Sequence, residues 1–298
     1  MEKIIVTGAN GYLGRNFIKY VITQGIEVYA VDINHDNSIF RNSNLVHFVN
    51  CSMETIDLLL NLIPQQEYFA FYHFAWNGVA GDHVNRKNYA SQIDNIKYSC
   101  DAAIISKKLG CKKFITTGSI VEKATREFSE SAKITESYYY GIAKESYHKY
   151  LEVISKIYEI NYIWVILPNI YGGDSRTIIS YMLKEFKENR IPSFGSCDQF
   201  YNFTYIKDIV SGLLFLGVNN TKCGEYFLSN GECRRMFSYL EEIANYLNKE
   251  IVIGAREDDG LNFKKEWFDN HKVIELGFQP QYSLISGVIE LYTEIMEG

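Results

Sequence analysis

Tyr140 and Lys144 stand four residues apart in Tyr138-Tyr139-Tyr140-Gly141-Ile142-Ala143-Lys144, so a helix would present both side chains on one face. Among 23 tyrosines such spacing carries little weight alone, yet this is the only Tyr-x-x-x-Lys pair in the chain. Upstream, the apolar run Phe114-Ile115-Thr116-Thr117-Gly118 ends in Ser119. The three groups suit one chemistry. Moving a hydride to or from a carbinol carbon requires a proton to move at its oxygen. A phenol of pKa about 10 is a poor base at neutral pH, and a nearby ammonium stabilises its phenolate. Ser119 can hold the substrate oxygen, Tyr140 can exchange the proton as general acid or base, and Lys144 can supply the charge. Tyr138 and Tyr139 lack a lysine at the fourth position and are read as wall or surface.

A hydride needs a carrier, and the N-terminal segment offers a place for one. Thr7-Gly8-Ala9-Asn10-Gly11-Tyr12-Leu13-Gly14 lies between a short apolar run and a stretch of helical spacing. Gly8 permits the tight turn from a strand, Gly11 lets a pyrophosphate approach the backbone, and Gly14 lets the helix pack closely. The amides of Tyr12 and Leu13 would face the phosphates, aided by the helix N-terminus. Val28-Tyr29-Ala30-Val31 leads to Asp32, about 20 residues on, where a carboxylate accepts from the ribose hydroxyls of a dinucleotide. A carboxylate repels a 2′-phosphate, and the next basic residue is Arg41. NAD(H) is therefore favoured, with NADP(H) still admissible.

These groups must be positioned by an α/β framework. Strands are expected at 3–6, 27–32, 46–49, within 69–75, at 113–117 and at 162–167. Helices are expected at 12–24, 88–109 and 137–158. Strands apolar on both faces, alternating with helices, predict a doubly wound parallel sheet. Beyond Pro168 the rhythm changes, with helical patterns at 177–189, 206–217, 237–247 and 283–296 between short extended pieces. We therefore expect a dinucleotide-binding domain over 1–168, to which parts of 200–228 return, and a smaller α/β substrate lobe over 169–298.

The net charge of −6 and the scattered lysine and arginine pairs argue against nucleic acid as a partner. No apolar run approaches the roughly 18 residues of a membrane helix, and the start runs directly into a strand and a glycine turn instead of a signal peptide. Six cysteines without a C-x-x-C pair read as reduced thiols of a cytoplasmic protein. The histidines His35, His47, His73, His83, His148 and His271 show no metal-ligand spacing, so no metal is expected. His73 reads as a packing residue at a strand end.

Taken together, these motifs resemble the extended short-chain dehydrogenase/reductases, in particular the NAD-dependent epimerase/dehydratase family acting on nucleotide sugars. The resemblance rests on the glycine turn, Asp32, Cys51-Ser52-Met53, His73-Phe74-Ala75, Asn95, and the set Ser119, Tyr140 and Lys144. It continues through Pro168-Asn169-Ile170-Tyr171-Gly172, Phe203-Thr204-Tyr205-Ile206-Lys207-Asp208 and the segment from Gly224 to Gly231. It implies a Rossmann fold and a cofactor site that also takes in Asn10, Ile33, Ser52 and Met53. Phe74, Ala75, Trp76, Thr117 and Leu167 complete that set. It implies substrate contacts from Trp76, Ser119, Glu122, Tyr140 and Asn169, a nucleotide-diphosphate sugar as partner, and a homodimer built on the helices near 88–109 and 137–158.

The departures bear on the reaction. Tyr201 and Ile166 stand where family members often carry phosphate-clamping arginines; Arg234 or Arg235 could replace them, or be surface residues. The family's 4,6-dehydratases place Asp-Glu directly after the strand-end Ser/Thr, whereas Ser119 is followed by Ile120 and Val121, with Glu122 the only nearby acid. Dehydration is therefore disfavoured. Reduction of a 4-keto-6-deoxyhexose is placed first, and a 4-epimerase with retained NAD second. A non-catalytic dinucleotide sensor and an enzyme acting on a non-nucleotide ketone stay open. In the loop 76–81, Trp76 could stack on nicotinamide or sugar, or fill the lobe interface.

Overall fold

The computed structural model describes residues 2–33, 40, 43–79, 83–126, 134–257 and 263–297. In chain order the elements are β1 (Lys3–Thr7), α1 (Tyr12–Thr23), β2 (Glu27–Asp32), β3 (Val46–Asn50), α2 (Leu59–Leu62) and β4 (Ala70–His73). Then come α3 (Tyr89–Lys108), β5 (Phe114–Ser119), α4 (Ile120–Thr125), α5 (Tyr138–Ile157), β6 (Tyr162–Leu167) and β7 (Asn169–Tyr171). The remainder is α6 (Ile178–Lys187), β8 (Phe200–Tyr201), β9 (Phe203–Tyr205), α7 (Ile206–Val218), β10 (Gly224–Phe227), β11 (Arg234–Arg235), α8 (Met236–Tyr246), α9 (His271–Glu275) and α10 (Leu284–Glu297).

Strands without a polar face need cover on both sides, and in this chain that need builds the first of two units. It comprises Met1–Arg126, Thr135–Ile166 and Leu213–Tyr226. Seven strands form one sheet in the order β10-β6-β5-β4-β1-β2-β3. β1 runs parallel to β2 and β4, β2 to β3, and β4 to β5. The chain winds outward from β1 through β2 to β3, then returns to β4 on the other side of β1. That reversal opens a crevice at the carboxyl ends of the strands, where this sheet type takes its ligands. The structure is thus the expected doubly wound Rossmann arrangement.

Local chemistry sets the helix starts. Asn88 caps α3 through its side-chain oxygen, which accepts from the amides of Ala90 and Ser91, a strong stop-start signal. The six-residue α4 was not among the expected elements. Ser119 caps it, with Glu122 three residues on returning a bond to the Ser119 amide, a reciprocal capping box. α3 and α5 pack on each other.

The second unit is built chiefly of Leu167–Gly212 and Phe227–Gly298. It contains two small pairings, β7 parallel to β9 and β8 antiparallel to β11. The Asp208 carboxylate at the start of α7 accepts from the amides of Gln281 and Tyr282, fixing the approach to α10. Among the described residues no helix is long and apolar enough to cross a membrane, and all six cysteines are free thiols.

Candidate active site

The glycine turn is held by sterics that the residue types explain. Gly8 has φ +69°, and a Cβ there would lie 2.6 Å from the Ala75 amide nitrogen just beyond β4. A Cβ on Gly14 would lie 2.1 Å from the Gly8 carbonyl oxygen, so α1 can seat on the turn only without one. Gly11 differs. Its Cβ would meet only the Gly8 oxygen, at 3.1 Å. Gly11 is also the N-cap of α1 and offers no side-chain cap, so the positive end of the α1 dipole, which favours an anion, opens directly on the turn.

Asp32, at the end of β2, accepts from the amides of Asn10 at 2.9 Å and Ile33 at 2.8 Å. Its backbone oxygen accepts from the Cys51 amide at 3.1 Å, which brings Ser52 and Met53 to the same strand end. Arg41 and His35 lie outside the described residues. An open glycine cradle at a helix N-terminus with a strand-end carboxylate beside it fits a dinucleotide without a 2′-phosphate.

The second cluster forms where β5 runs into α4 and α5 passes over it. Tyr140 and Lys144 are buried and Ser119 is half-buried. Lys144 Nζ donates to the Thr117 carbonyl at 2.9 Å and lies 3.6 Å over the Trp76 ring. Burial pulls its pKa down to about 7, with the Glu122 carboxylate opposing and Arg86 assisting. Burial raises the Tyr140 phenol, while the Arg86 guanidinium and then the Ser119 hydroxyl pull it back. Trp76 meets Tyr140 edge-on at 6.1 Å and donates from its indole to Gln92 Oε1 at 3.0 Å. It is a buried wall of the cluster. Of its loop, Ala80 and Gly81 lie outside the described residues.

Glu122 requires a correction. Expected at the substrate, it has no exposed surface. One carboxylate oxygen accepts from the Ser119 amide at 3.1 Å and the other from the Trp164 indole at 3.0 Å. The third position of a capped helix turns back toward its own start, so Glu122 braces Ser119 from behind. Burial pushes its pKa up to about 7, against those two donors. Gly118 makes room for it: a Cβ there would lie 2.4 Å from the Trp164 indole nitrogen and 2.6 Å from Glu122 Oε2.

A pH dependence follows. Because the folded state holds this proton more tightly than the unfolded chain, Glu122's contribution to stability is present below the ordinary carboxylate range and lost as pH rises through about 7. Glu122→Gln should flatten that limb in urea titrations run across this window. It should also destabilise the protein by about 1–3 kcal/mol, because an amide NH₂ must face one of two N–H donors. Unchanged stability with an unchanged pH slope would refute this account of Glu122.

Behind Glu122, side-chain atoms of His148 and Glu225 complete a group of possible metal ligands within 4.8 Å of one another. Cations of the chain already sit there. Arg126 lies 3.7 Å from Glu122 and 3.4 Å from Glu225, and Lys123 lies 3.6 Å from Glu225. The group is an ion-pair cluster behind the site. His73 is also structural: its ring bridges Thr7 at 2.7 Å and Ser99 at 3.0 Å, and burial drives its pKa down to about 3.

Two contributors escaped sequence reasoning. Gln92, on α3, donates to the carbonyls of Asn77 and Asn85 while accepting from Trp76. Asn95, which the resemblance includes, brackets Asn77 through both its amide and its carbonyl. Arg86 places its guanidinium 3.9 Å from the Tyr140 ring centroid. A lone arginine in an irregular segment has no spacing to betray it.

In the second unit, Leu167 is buried. Asn169 Nδ2 donates to the Tyr201 hydroxyl at 3.0 Å, and Asn169 Oδ1 is a buried acceptor without a partner. Arg234 is matched by Glu232 and Glu242. Arg235 donates to the Asp198 carbonyl, near that residue's carboxylate. A phosphate at Arg234 would meet two carboxylates, so the suggested replacement for the missing clamp finds no support there.

The model of the NAD dependent epimerase/dehydratase family matches residues 4–227. The chain belongs to that family and is an enzyme of the short-chain dehydrogenase/reductase type, with NAD(H) as its cofactor. It is 22% identical to dTDP-4-dehydro-6-deoxyglucose reductase of Escherichia coli, over 98% of this chain and 97% of the relative. It is 23% identical to CDP-abequose synthase of Salmonella typhimurium, over 97% of each. In fold it is similar to UDP-N-acetylglucosamine 4-epimerase from Methanobrevibacter ruminantium, with TM-score 0.81, 18% identity and coverage of 99% and 98%.

Proposed function

We propose that the protein reduces the keto group of a nucleotide-linked 4-keto-6-deoxyhexose. The observation that carries this reading is the gathering of Ser119, Tyr140 and Lys144 in the first unit while Glu122, the acid three residues after Ser119, is sealed behind it. Oxidoreduction needs one proton-transfer group at the reacting oxygen; water elimination needs a further acid and base. Similarity to a dTDP-sugar reductase and a CDP-sugar synthase over nearly the whole chain agrees with it.

When bound, NADH supplies the hydride. Ser119 holds the carbonyl oxygen, Tyr140 gives it a proton, and Lys144 stabilises the phenolate left behind. Asp32 holds the adenosine ribose. Residues 1–168 take the cofactor and 169–298 the nucleotide sugar, with the unpartnered oxygen of Asn169 as one acceptor for a substrate hydroxyl. Asp32→Ala should weaken NADH binding and narrow the preference over NADPH, as read by fluorescence titration. Equal affinities before and after the change would remove Asp32 from the cofactor site.

The second reading is a 4-epimerase that oxidises and re-reduces its sugar with retained NAD, favoured by the NAD-type acid Asp32. The test is incubation with NADH and dTDP- or CDP-linked 4-keto-6-deoxyglucose. Stoichiometric loss of NADH with formation of the 4-hydroxy sugar supports the reductase. Tightly retained NAD in the purified protein, with interconversion of UDP-glucose and UDP-galactose and no net NADH use, replaces it with the epimerase. Reversible NADH binding with no turnover of either kind leaves the dinucleotide sensor.

The assembly we propose is a homodimer through α3 and α5. Tyr89 and Ile93 on α3, and Ile142, Tyr150, Val153 and Ile157 on α5, expose 41–67% of their surface. Exposed apolar side chains on two packed helices fit a second copy of the same surface. Light scattering should give twice the chain mass, and Ile142→Glu with Tyr150→Glu should give the monomer. A monomeric parent protein would refute the assembly.

A further inference from the structure

Arg86 lies in the single 3-10 turn Val84–Lys87 that precedes α3. Its backbone nitrogen abuts Gly78, where a Cβ would fall 2.5 Å away. Its guanidinium donates to the Val79 carbonyl at 2.5 Å. Asn85 is tied to Asn77 at 2.8 Å, and Gln92 bonds the backbone oxygens of both. The guanidinium is thereby held 3.9 Å over the Tyr140 ring. Among the described residues no carboxylate pairs with it.

We propose that Arg86 is a positioning residue for Tyr140, a permanent cation clamped on the ring that stabilises its phenolate during proton transfer. The inference rests on the reading of Tyr140 as the proton-transfer group.

The case turns on which positive charge Tyr140 meets. Lys144 Nζ is 5.9 Å from the ring centroid, directed at the Thr117 carbonyl and the Trp76 face. Burial brings it close to losing its proton at neutral pH. A guanidinium keeps its charge at every accessible pH, and its planar face suits stacking on an aromatic ring. The groups that act on the phenol are few. Arg86 comes from the turn before α3, and Ser119 from the end of β5. Glu122 on α4 opposes ionisation, and Lys144 lies one turn along α5. Toward the Trp76 loop α3 directs the neutral amides of Gln92 and Asn95. Arg86 lies nearer the Tyr140 ring than Lys144 does.

The experiment is a pH titration of the Tyr140 ring by NMR in ring-¹³C-tyrosine protein saturated with NAD, the resonance being assigned by its absence in Tyr140→Phe. Arg86→Gln should raise the apparent pKa of that resonance by about one unit or more. Turnover of the sugar nucleotide in the oxidative direction should move its acid limb upward by the same interval. Arg86→Lys should restore most of the shift, and NADH affinity should stay within about twofold of the parent. A titration that does not move in Arg86→Gln, or that moves as far in Arg86→Lys, overturns the inference. A Tyr140→Phe enzyme with ordinary turnover overturns the underlying reading instead. An inactive Tyr140→Phe enzyme beside an unmoved resonance in Arg86→Gln removes Arg86 alone.

Discussion

Tyr140→Phe should bind NADH as the parent does and lose at least about 10²-fold in turnover, the usual scale for removing an acid–base group. The substitution deletes one oxygen and leaves the edge-on contact with Trp76 and the stacked Arg86 in place. Little packing is at stake, so thermal stability should hardly change. The loss should appear in kcat and kcat/KM together, because the group acts in the transition state. Single-turnover measurement of NADH oxidation, with the dissociation constant measured separately, tests this. Turnover within a few-fold of the parent would exclude Tyr140 as the proton donor. The three adjacent tyrosines supply an internal control. Tyr139 is partly exposed and packs on Tyr89, 6.2 Å away, so Tyr139→Phe should be silent in the same assays.

The glycine turn should separate binding from folding. Gly14→Ala drives a methyl onto the Gly8 carbonyl oxygen, 2.1 Å away. The oxygen belongs to the backbone and the methyl is fixed directly to Cα, so neither can turn aside. Overpacking of this kind costs about 1–3 kcal/mol, seen as a lower urea midpoint, and NADH affinity should fall with it as α1 shifts. Gly11→Ala meets only one atom, at 3.1 Å, and should leave the midpoint almost in place. Its methyl instead projects into the space a pyrophosphate would enter, so the NADH dissociation constant should rise at least about tenfold, or about 1.4 kcal/mol. Equal effects of the two substitutions on stability, or intact binding in Gly11→Ala, would refute this division of labour.

The first unit was legible because its central strands, β1, β2, β4, β5 and β6, are almost wholly buried. Ile4-Ile5-Val6, Val28 to Val31 and Ile163 to Ile166 have at most 8% of their surface exposed, and unbroken apolar runs between helical stretches leave little alternative. The long helices were expected at 88–109 and 137–158 and occupy Tyr89–Lys108 and Tyr138–Ile157, since capping residues and glycine or polar breaks mark their ends. In the second unit β7, β8, β9 and β11 have two or three residues each, too few for a period of two to register. Of the candidate site groups, Tyr140 and Lys144 were singled out by helical spacing, and the structure brings them into one buried cluster. Glu122 was placed near Ser119 by sequence but on the wrong side, because adjacency does not reveal that a helix cap turns its third side chain backward. Arg86 was invisible for a different reason. Its approach to Tyr140 depends on two irregular segments held together by Gln92 and Asn95.

The tryptophans give the site an optical readout. Only three exist in the chain, and two of them border the Ser119–Tyr140–Lys144 cluster. Trp76 carries Lys144 on its face. Trp164 is fully buried, stacks on His148 with centroids 4.3 Å apart and interplanar angle 1°, and donates to Glu122. Loss of a proton from Lys144 should therefore change the emission of one indole, while protonation of His148 or ionisation of Glu122 should change that of the other. Trp76→Phe and Trp164→Phe would resolve the two signals, so that the charge state in front of Ser119 and behind it could be followed by fluorescence in the resting protein.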